Sequence, residues 1–289
     1  MTQSLHRFSL VKLAIFFGFL IVISGVAIYL FSHSIPQGVL SLVLEFGITL
    51  SISLFVIREL KKADVSLHSI IGDLSMKRKL TVFSAALSAG RLLIYFSFAG
   101  LILRLTLLQP TFLAQVEALM NDTSSSPKLS PRSMIGAVLF APVIEEIIFR
   151  GIILNKWAER SSNIRALVLS SLVFGLIHFD SLIVPQLIGG LIYGLVYLKT
   201  KKLIYPIFMH VLHNLLLFSL LLIPVDEVPE TAIVTEQLID ELTTALNISS
   251  LVFIISLPIF LFTLYKYSRN LNDEMTPLTF NTGLYSDRT

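Results

Sequence analysis

Eight apolar runs, most of them about 17–22 residues long, divide this chain, the length a helix needs to cross a hydrocarbon core of about 30 Å at about 1.5 Å per residue. In lipid the backbone must satisfy its own hydrogen bonds, which makes such runs helices. The runs fall near 13–31, 37–57, 83–108, 134–156, 164–183, 185–199, 203–223 and 249–266, so the expected fold is an all-α polytopic membrane protein of about eight spans. The third run is too long for one straight span, and its first turns are expected at the membrane interface. Only 14% of the residues are charged against 54% hydrophobic, far from the composition of a soluble domain. His6, Arg7 and Lys12 precede the first run, but that run is too long for a signal peptide and no small-x-small cleavage site follows it, so it reads as a retained span.

Charge sets the orientation. Basic residues follow span two (Arg58, Lys61, Lys62, Lys77, Arg78, Lys79), span four (Lys156, Arg160, Arg165), span six (Lys199, Lys201, Lys202) and span eight (Lys266, Arg269). The alternate connections lack them: Ser32–Gln37 has no Lys or Arg, and Pro224–Ser249 carries Asp226, Glu227, Glu230, Glu236, Asp240 and Glu241. Eight spans with both termini cytoplasmic satisfy the positive-inside rule at every connection. The organisation that follows is a three-span part at 1–120 with a cytoplasmic basic loop, a polar outside linker at 121–133, a core at 134–223, an acidic outside loop at 224–248, and a last span with a cytoplasmic tail at 249–289. The net charge of +3 reflects loop ends and topology; it does not indicate nucleic acid. There are no cysteines, which excludes disulfides, thiolate catalysis and cysteine–zinc sites.

Against this background the polar residues of the core stand out. Glu145, Glu146 and Arg150 lie in span four, His178 in span five, and His210, His213 and Asn214 in span seven. Each charge at membrane depth costs about 2.5–3.5 kcal/mol on insertion scales, so such residues mark function. Counted from the cytoplasmic ends of their helices, Glu145 lies about 18 Å up, His178 about 21 Å, His210 about 10 Å and Asn214 about 16 Å. The three helices thus present polar groups in overlapping layers, expected to line one cavity open toward the cytoplasmic half of the bilayer.

Helical geometry separates the roles. Neighbouring positions diverge by about 100°, so Glu145 and Glu146 face different partners. Glu146 and Arg150, at i,i+4, form a same-face pair. Glu145 keeps no partner on its own helix, and a desolvated carboxylate aimed at a cavity suits a general base. Two chemistries fit: zinc held by Glu145, His178 and His210 with an open position for water, or a metal-free site in which Glu145 and His178 activate water while His210 and Asn214 donate to an oxyanion. Other hydrolase patterns, such as His-Glu-x-x-His or Gly-x-Ser-Gly, are absent.

The order Glu-Glu-x-x-x-Arg (145–150), Phe-x-x-x-His (174–178) and His-x-x-x-Asn (210–214) on successive membrane helices resembles the CPBP family: the CAAX prenyl proteases and bacteriocin-processing enzymes, also called the abortive-infection family. The resemblance covers roughly residues 133–223. It implies a membrane-embedded endopeptidase of a bacterial cell membrane, acting on a membrane-associated, amphiphilic or lipidated peptide. Carried over by position, Glu145 and His178 activate the water, His210 and Asn214 stabilise the oxyanion, and Glu146 and Arg150 are structural or accessory. The competing classes are a non-catalytic membrane immunity or partner protein and a proton-coupled transporter, whose expected repeats or broken helices the sequence does not show.

Residues outside those motifs carry expectations of their own. Glu45 and Arg91 sit at equal depth in spans two and three and are expected to pair, while Arg104 snorkels to the outer interface. His213 reads as structural, Gly190 and Gly194 as packing glycines, Tyr193 and Tyr197 as packing or interface residues, and Asp180 as solvated.

Overall fold

The apolar runs form helices in the computed structural model, which describes residues 3–106, 135–178, 182–221 and 236–286. Serines start several of them. Ser9, Ser66 and Ser162 each accept a backbone N–H three residues on, from Lys12, Ser69 and Arg165, and so satisfy donors that a helix start leaves without partners. In chain order the helices are α1 (Leu10–Phe31), α2 (Gln37–Lys62), α3 (Leu67–Ile71), α4 (Arg78–Thr106), α5 (135–158), α6 (Asn163–Ile177), α7 (Ile183–Thr200), α8 (Ile204–Leu221), α9 (Glu236–Ser268) and α10 (Pro277–Ser286). By length and composition α1, α2, α4, α7 and α9 qualify as membrane spans, and α6 and α8 are shorter apolar helices. The chain is an all-α polytopic membrane protein.

Packing places α7 at the centre, against α6, α8 and α4, with α9 along α4. Ile188, Ile192, Val196 and Leu198 of α7 are buried, whereas Ile15, Phe19 and Ile21 of α1 and Ile254, Ile255 and Phe262 of α9 are exposed. At membrane depth these exposed side chains face lipid, which carries no hydrophobic penalty. Close approach of α6 and α7 depends on Gly190: a Cβ there would lie 2.9 Å from the Ser171 Cα.

Both described ends of the chain lie at the same end of the bundle as the basic connections. Lys156 Nζ donates to the Leu5 carbonyl (2.6 Å), and Glu159 accepts the Leu5 N–H (2.9 Å). From the other terminus, Asn281 Nδ2 donates to the carbonyls of Ser69 and Lys201, both at 3.0 Å. Glu274 receives Lys199 (2.7 Å) and Lys201 (3.0 Å). Burial pushes the Glu274 carboxyl up, but these two ammonium groups outweigh it and hold it below its ordinary value. Bringing both ends to one face requires an even number of crossings, and the positive-inside rule makes that face cytoplasmic. Reporter fusions after Lys62, Lys202 and Arg269 should therefore report cytoplasm and one within 224–235 should report the outside; an outside signal at Lys202 would overturn the topology.

Three expectations need correction. Span five ends at Ile177 instead of running to 183, so His178 caps its C-terminus with φ −97° and ψ 41° instead of sitting within a helix. The stretch expected as an acidic loop at 224–248 is helical from Glu236 onward, because α9 extends outward along α4: Leu246 is buried, Ser249 donates to the Ser97 carbonyl (3.4 Å) and Arg104 Nε donates to Asn247 Oδ1 (2.9 Å). Arg104 thus has a helix partner at the outer end. Finally, Glu45 and Arg91 do not pair; equal depth did not bring them to the same face, as their partners show below. The linker at 121–133, residues 224–235 and Asp180 lie outside the described residues.

Candidate active site

Helix α5 does not wind uniformly. Residues Gly136–Phe140 and Ile147–Leu154 form wide π-helical turns on either side of an α-helical turn, Ala141–Glu146, which carries both glutamates. Pro142 brings no N–H to the ladder at this junction, and Asn155 Nδ2 donates to the carbonyls of Arg150 (3.2 Å) and Gly151 (2.9 Å) at the other end. Wide turns of this kind recur at functional sites.

The pair at the heart of the site is wholly buried. Arg150 Nη1 donates to Glu146 Oε1 (3.0 Å), and the same oxygen lies 2.8 Å from His210 Nδ1. Aromatic faces enclose the guanidinium: its central carbon is 4.3 Å from the Phe174 ring centroid and 5.4 Å from that of Tyr193. Phe174 also lies against His178 (4.6 Å) and His210 (5.9 Å), so one ring touches residues from all three polar motifs.

Above this base, Glu145 Oε2 lies 3.8 Å from His178 Nε2 and 3.8 Å from His210 Nε2. The hydrogen bonds on the other ring nitrogens determine what these Nε2 atoms present. His178 Nδ1 is 2.7 Å from the Phe174 carbonyl, an acceptor, so Nδ1 carries the proton. That bond satisfies a carbonyl of the last turn of α6, so the helix end and the ring orientation are fixed together. His210 Nδ1 meets a carboxylate oxygen already bonded to Arg150 and donates to it. Both rings therefore turn Nε2 toward Glu145, the arrangement in which a second partner orients an imidazole for a ligand.

The remaining polar residues sit farther out. Asn214 Nδ2 donates to the Ala137 carbonyl (2.9 Å), two turns along α5 from Glu145, so it braces α8 against the first π-helical segment. His213 is buried against Tyr95 at 6.1 Å between ring centroids, with no hydrogen-bond partner on either nitrogen among the described residues. Tyr193 stacks on His210 (5.1 Å) and takes a hydrogen bond from Arg91, whose Nη2 donates to Gln186 (2.6 Å). Arg91 is thus held by α7, behind His210. Glu45, by contrast, lies on the other side of α5, against Gly136, where a Cβ would fall 1.3 Å from its Oε1. Sequence reasoning left Phe174 without a role and treated Tyr193 as packing; the one available signal was the buried charge of Arg91, which required a partner. Gly189→Ala should lower stability by about 1–3 kcal/mol, since its Cβ would lie 2.4 Å from the Arg91 Nε of a guanidinium fixed at both ends. Thermal unfolding in detergent checks this, and an unchanged midpoint would contradict it.

Beside Glu145 a cavity of about 570 Å³ opens between α1, α2, α5 and α6, lined by Phe17, Ile28, Glu45, Ile48, Phe149 and Ile177 among others. Ile28 and Glu45 belong to the outer halves of their helices and Phe17 and Ile52 to the inner halves, so this space extends to both sides of mid-depth. Below it, Leu5, Phe8, Leu60 and Ile70 are fully packed in one apolar cluster at the cytoplasmic end.

A bundle with two imidazoles and a carboxylate meeting inside it defines a membrane-embedded protein with a polar cluster at its core. Residues 127–216 match the family described as type II CAAX prenyl endopeptidase Rce1-like. The chain is 32% identical over 110 residues to "Putative membrane peptidase YdiL" of Bacillus subtilis (strain 168), covering 38% of this chain and 45% of that protein. It is 36% identical over 92 residues to "Membrane-embedded CAAX protease MroQ" of Staphylococcus aureus (strain USA300), covering 29% of this chain and 37% of the relative. The aligned part spans less than half the length of either curated relative. No solved structure matches significantly. Helices and bacterial relatives together make this an integral membrane protein of the bacterial cell membrane.

Proposed function

We propose that this protein is a membrane-embedded endopeptidase in which Glu145 is the general base that activates a water for attack on a peptide bond. The observation that carries this reading is the approach of one carboxylate oxygen to two oriented imidazole nitrogens, each at 3.8 Å. That gap is too long for direct hydrogen bonding, and a water between the groups would complete it. Glu145 takes a proton from the water as its oxygen bonds to the carbonyl carbon. The carbonyl oxygen becomes an oxyanion, the C–N bond then breaks, and the proton passes from Glu145 to the leaving amine. His178, with its lone pair facing the water, holds the second hydrogen. His210 donates to the oxyanion as imidazolium, with Glu146 on its other nitrogen as counter-ion, and Asn214 has a second N–H for the same task.

A second form of this site is supported by the same atoms. A carboxylate oxygen and two imidazole nitrogens facing one point are a place for a cation or a shared proton. Glu145, His178 and His210 are the donor types of a zinc site, and zinc would supply a water that is acidic near neutral pH. The side chains would have to close in, since among the described residues no group of three such donors stands at metal-holding spacing.

The apolar lining of the cavity supports a substrate class. An intact helix shields its peptide bonds, so the substrate presents a locally extended segment of an amphiphilic or lipidated peptide. Peptide mass spectrometry of membranes with and without this protein, with Glu145→Ala as control, tests the reading. Fragments that depend on Glu145 support it, and identical peptide pools overturn it.

A further inference from the structure

We propose that Glu45 forms a cation-recognition subsite at the outer end of the cavity beside Glu145, selecting peptides that carry a positively charged nitrogen about four residues from the hydrolysed bond. The inference rests on the reading of Glu145 as the reactive carboxylate. Among the described residues, Glu45 and Glu145 are the ionisable ones lining this cavity. Of the cavity's hydroxyls, Ser24 donates to Leu20 and Ser41 to Gly38 on their own helices. Among the described residues no Lys, Arg or His pairs with Glu45. A carboxylate on apolar walls at membrane depth is costly alone and gains most from a cationic partner.

Its position is built, because Gly136 leaves the space that the Glu45 carboxylate occupies. From Gly136 to Glu145 is nine residues of α5, about 13 Å at about 1.5 Å per residue. An extended peptide covers that distance in about four residues at about 3.3 Å each. Glu45 also lies outside residues 127–216, the part matched to the family, so the cavity joins a family wall carrying Glu145 to a wall from α1 and α2 that belongs to this chain's own N-terminal part. Selection of a substrate by that second wall leaves the reaction chemistry untouched.

The test uses the full chain in lipid nanodiscs with short quenched peptides of Leu, Ala, Gly and Ser that carry one Lys at each position in turn, or norleucine in its place. The inference predicts that kcat/KM for Lys exceeds that for norleucine by about tenfold or more at one offset from the cleaved bond, the scale of a hydrogen bond to a charged group. That ratio should collapse toward one in Glu45→Gln and favour a Glu-bearing peptide in Glu45→Lys. Peptides with a free or acetylated N-terminus, lacking Lys, separate a side-chain amine from a terminal one. Binding of the same peptides to Glu145→Gln, read by photocrosslinking, separates the two claims. Lys-dependent capture that needs Glu45, without turnover by the native protein, would refute hydrolysis while upholding the subsite. Capture or cleavage indifferent to the charge at every position, or a Lys preference that survives Glu45→Gln, overturns the inference.

Discussion

Replacing Glu145 by alanine is expected to lower peptide hydrolysis by about a hundredfold to ten-thousandfold, the range a positioned general base contributes, while expression and membrane insertion stay near normal. The fold should survive because, among the described residues, Glu145 makes no hydrogen bond that holds two helices together: its nearest imidazole nitrogens are 3.8 Å away, and the side chain is 27% exposed. Turnover by the purified protein, normalised to the folded fraction, measures this. Undiminished hydrolysis by Glu145→Ala would show that another carboxylate does the work.

Arg150→Ala should act through stability instead. Glu146 is fully buried, its Oε1 receives Arg150, and its Oε2 has no partner among the described residues. Removing the guanidinium leaves a buried carboxylate opposite only His210 and empties the space between Phe174 and Tyr193, at an expected cost of about 3–5 kcal/mol. Arg150→Lys should recover part of that loss at most, since an ammonium keeps the charge but not the planar contact with the rings. Pairing Arg150→Met with Glu146→Gln should be milder than Arg150→Ala, because the orphaned charge is gone. Thermal unfolding in detergent reads all three, and an Arg150→Ala protein as stable as the native one would contradict the account of this pair.

The helices were legible because each apolar run must satisfy its own backbone, and the charges flanking them gave the orientation. Their ends were less so. Apolar composition continues past Ile177, so the sequence carried no mark of the break at His178, where a side chain bonded to the Phe174 carbonyl replaces the next helical turn. Acidic residues at 236–241 read as loop because the contact that keeps them helical, α9 along α4, is tertiary. Within the site, the i,i+4 spacing of Glu146 and Arg150 was readable from helical geometry alone. The meeting of Glu145 with His178 and His210 needed three helices, and depth estimates could place their layers without giving their azimuth. The same gap misled the pairing of Glu45 with Arg91: equal depth was correct reasoning for cost but silent about face. Arg91 turned to Tyr193 and Gln186, and Glu45 to Gly136. The π-helical winding of α5, which shifts every later residue around the axis, has no periodic signature in so short a stretch.

The central claim is that water, activated by Glu145 and held by His178, is added across a peptide bond inside this bundle. Purified protein in lipid nanodiscs, given an amphiphilic peptide in water enriched in the heavy oxygen isotope, tests it directly by mass spectrometry of the products. The account predicts one heavy oxygen in the new C-terminal carboxyl of each cleaved peptide, formed by the native protein and not by Glu145→Ala. Cleavage without incorporated label, or labelled product formed equally by Glu145→Ala, would contradict it.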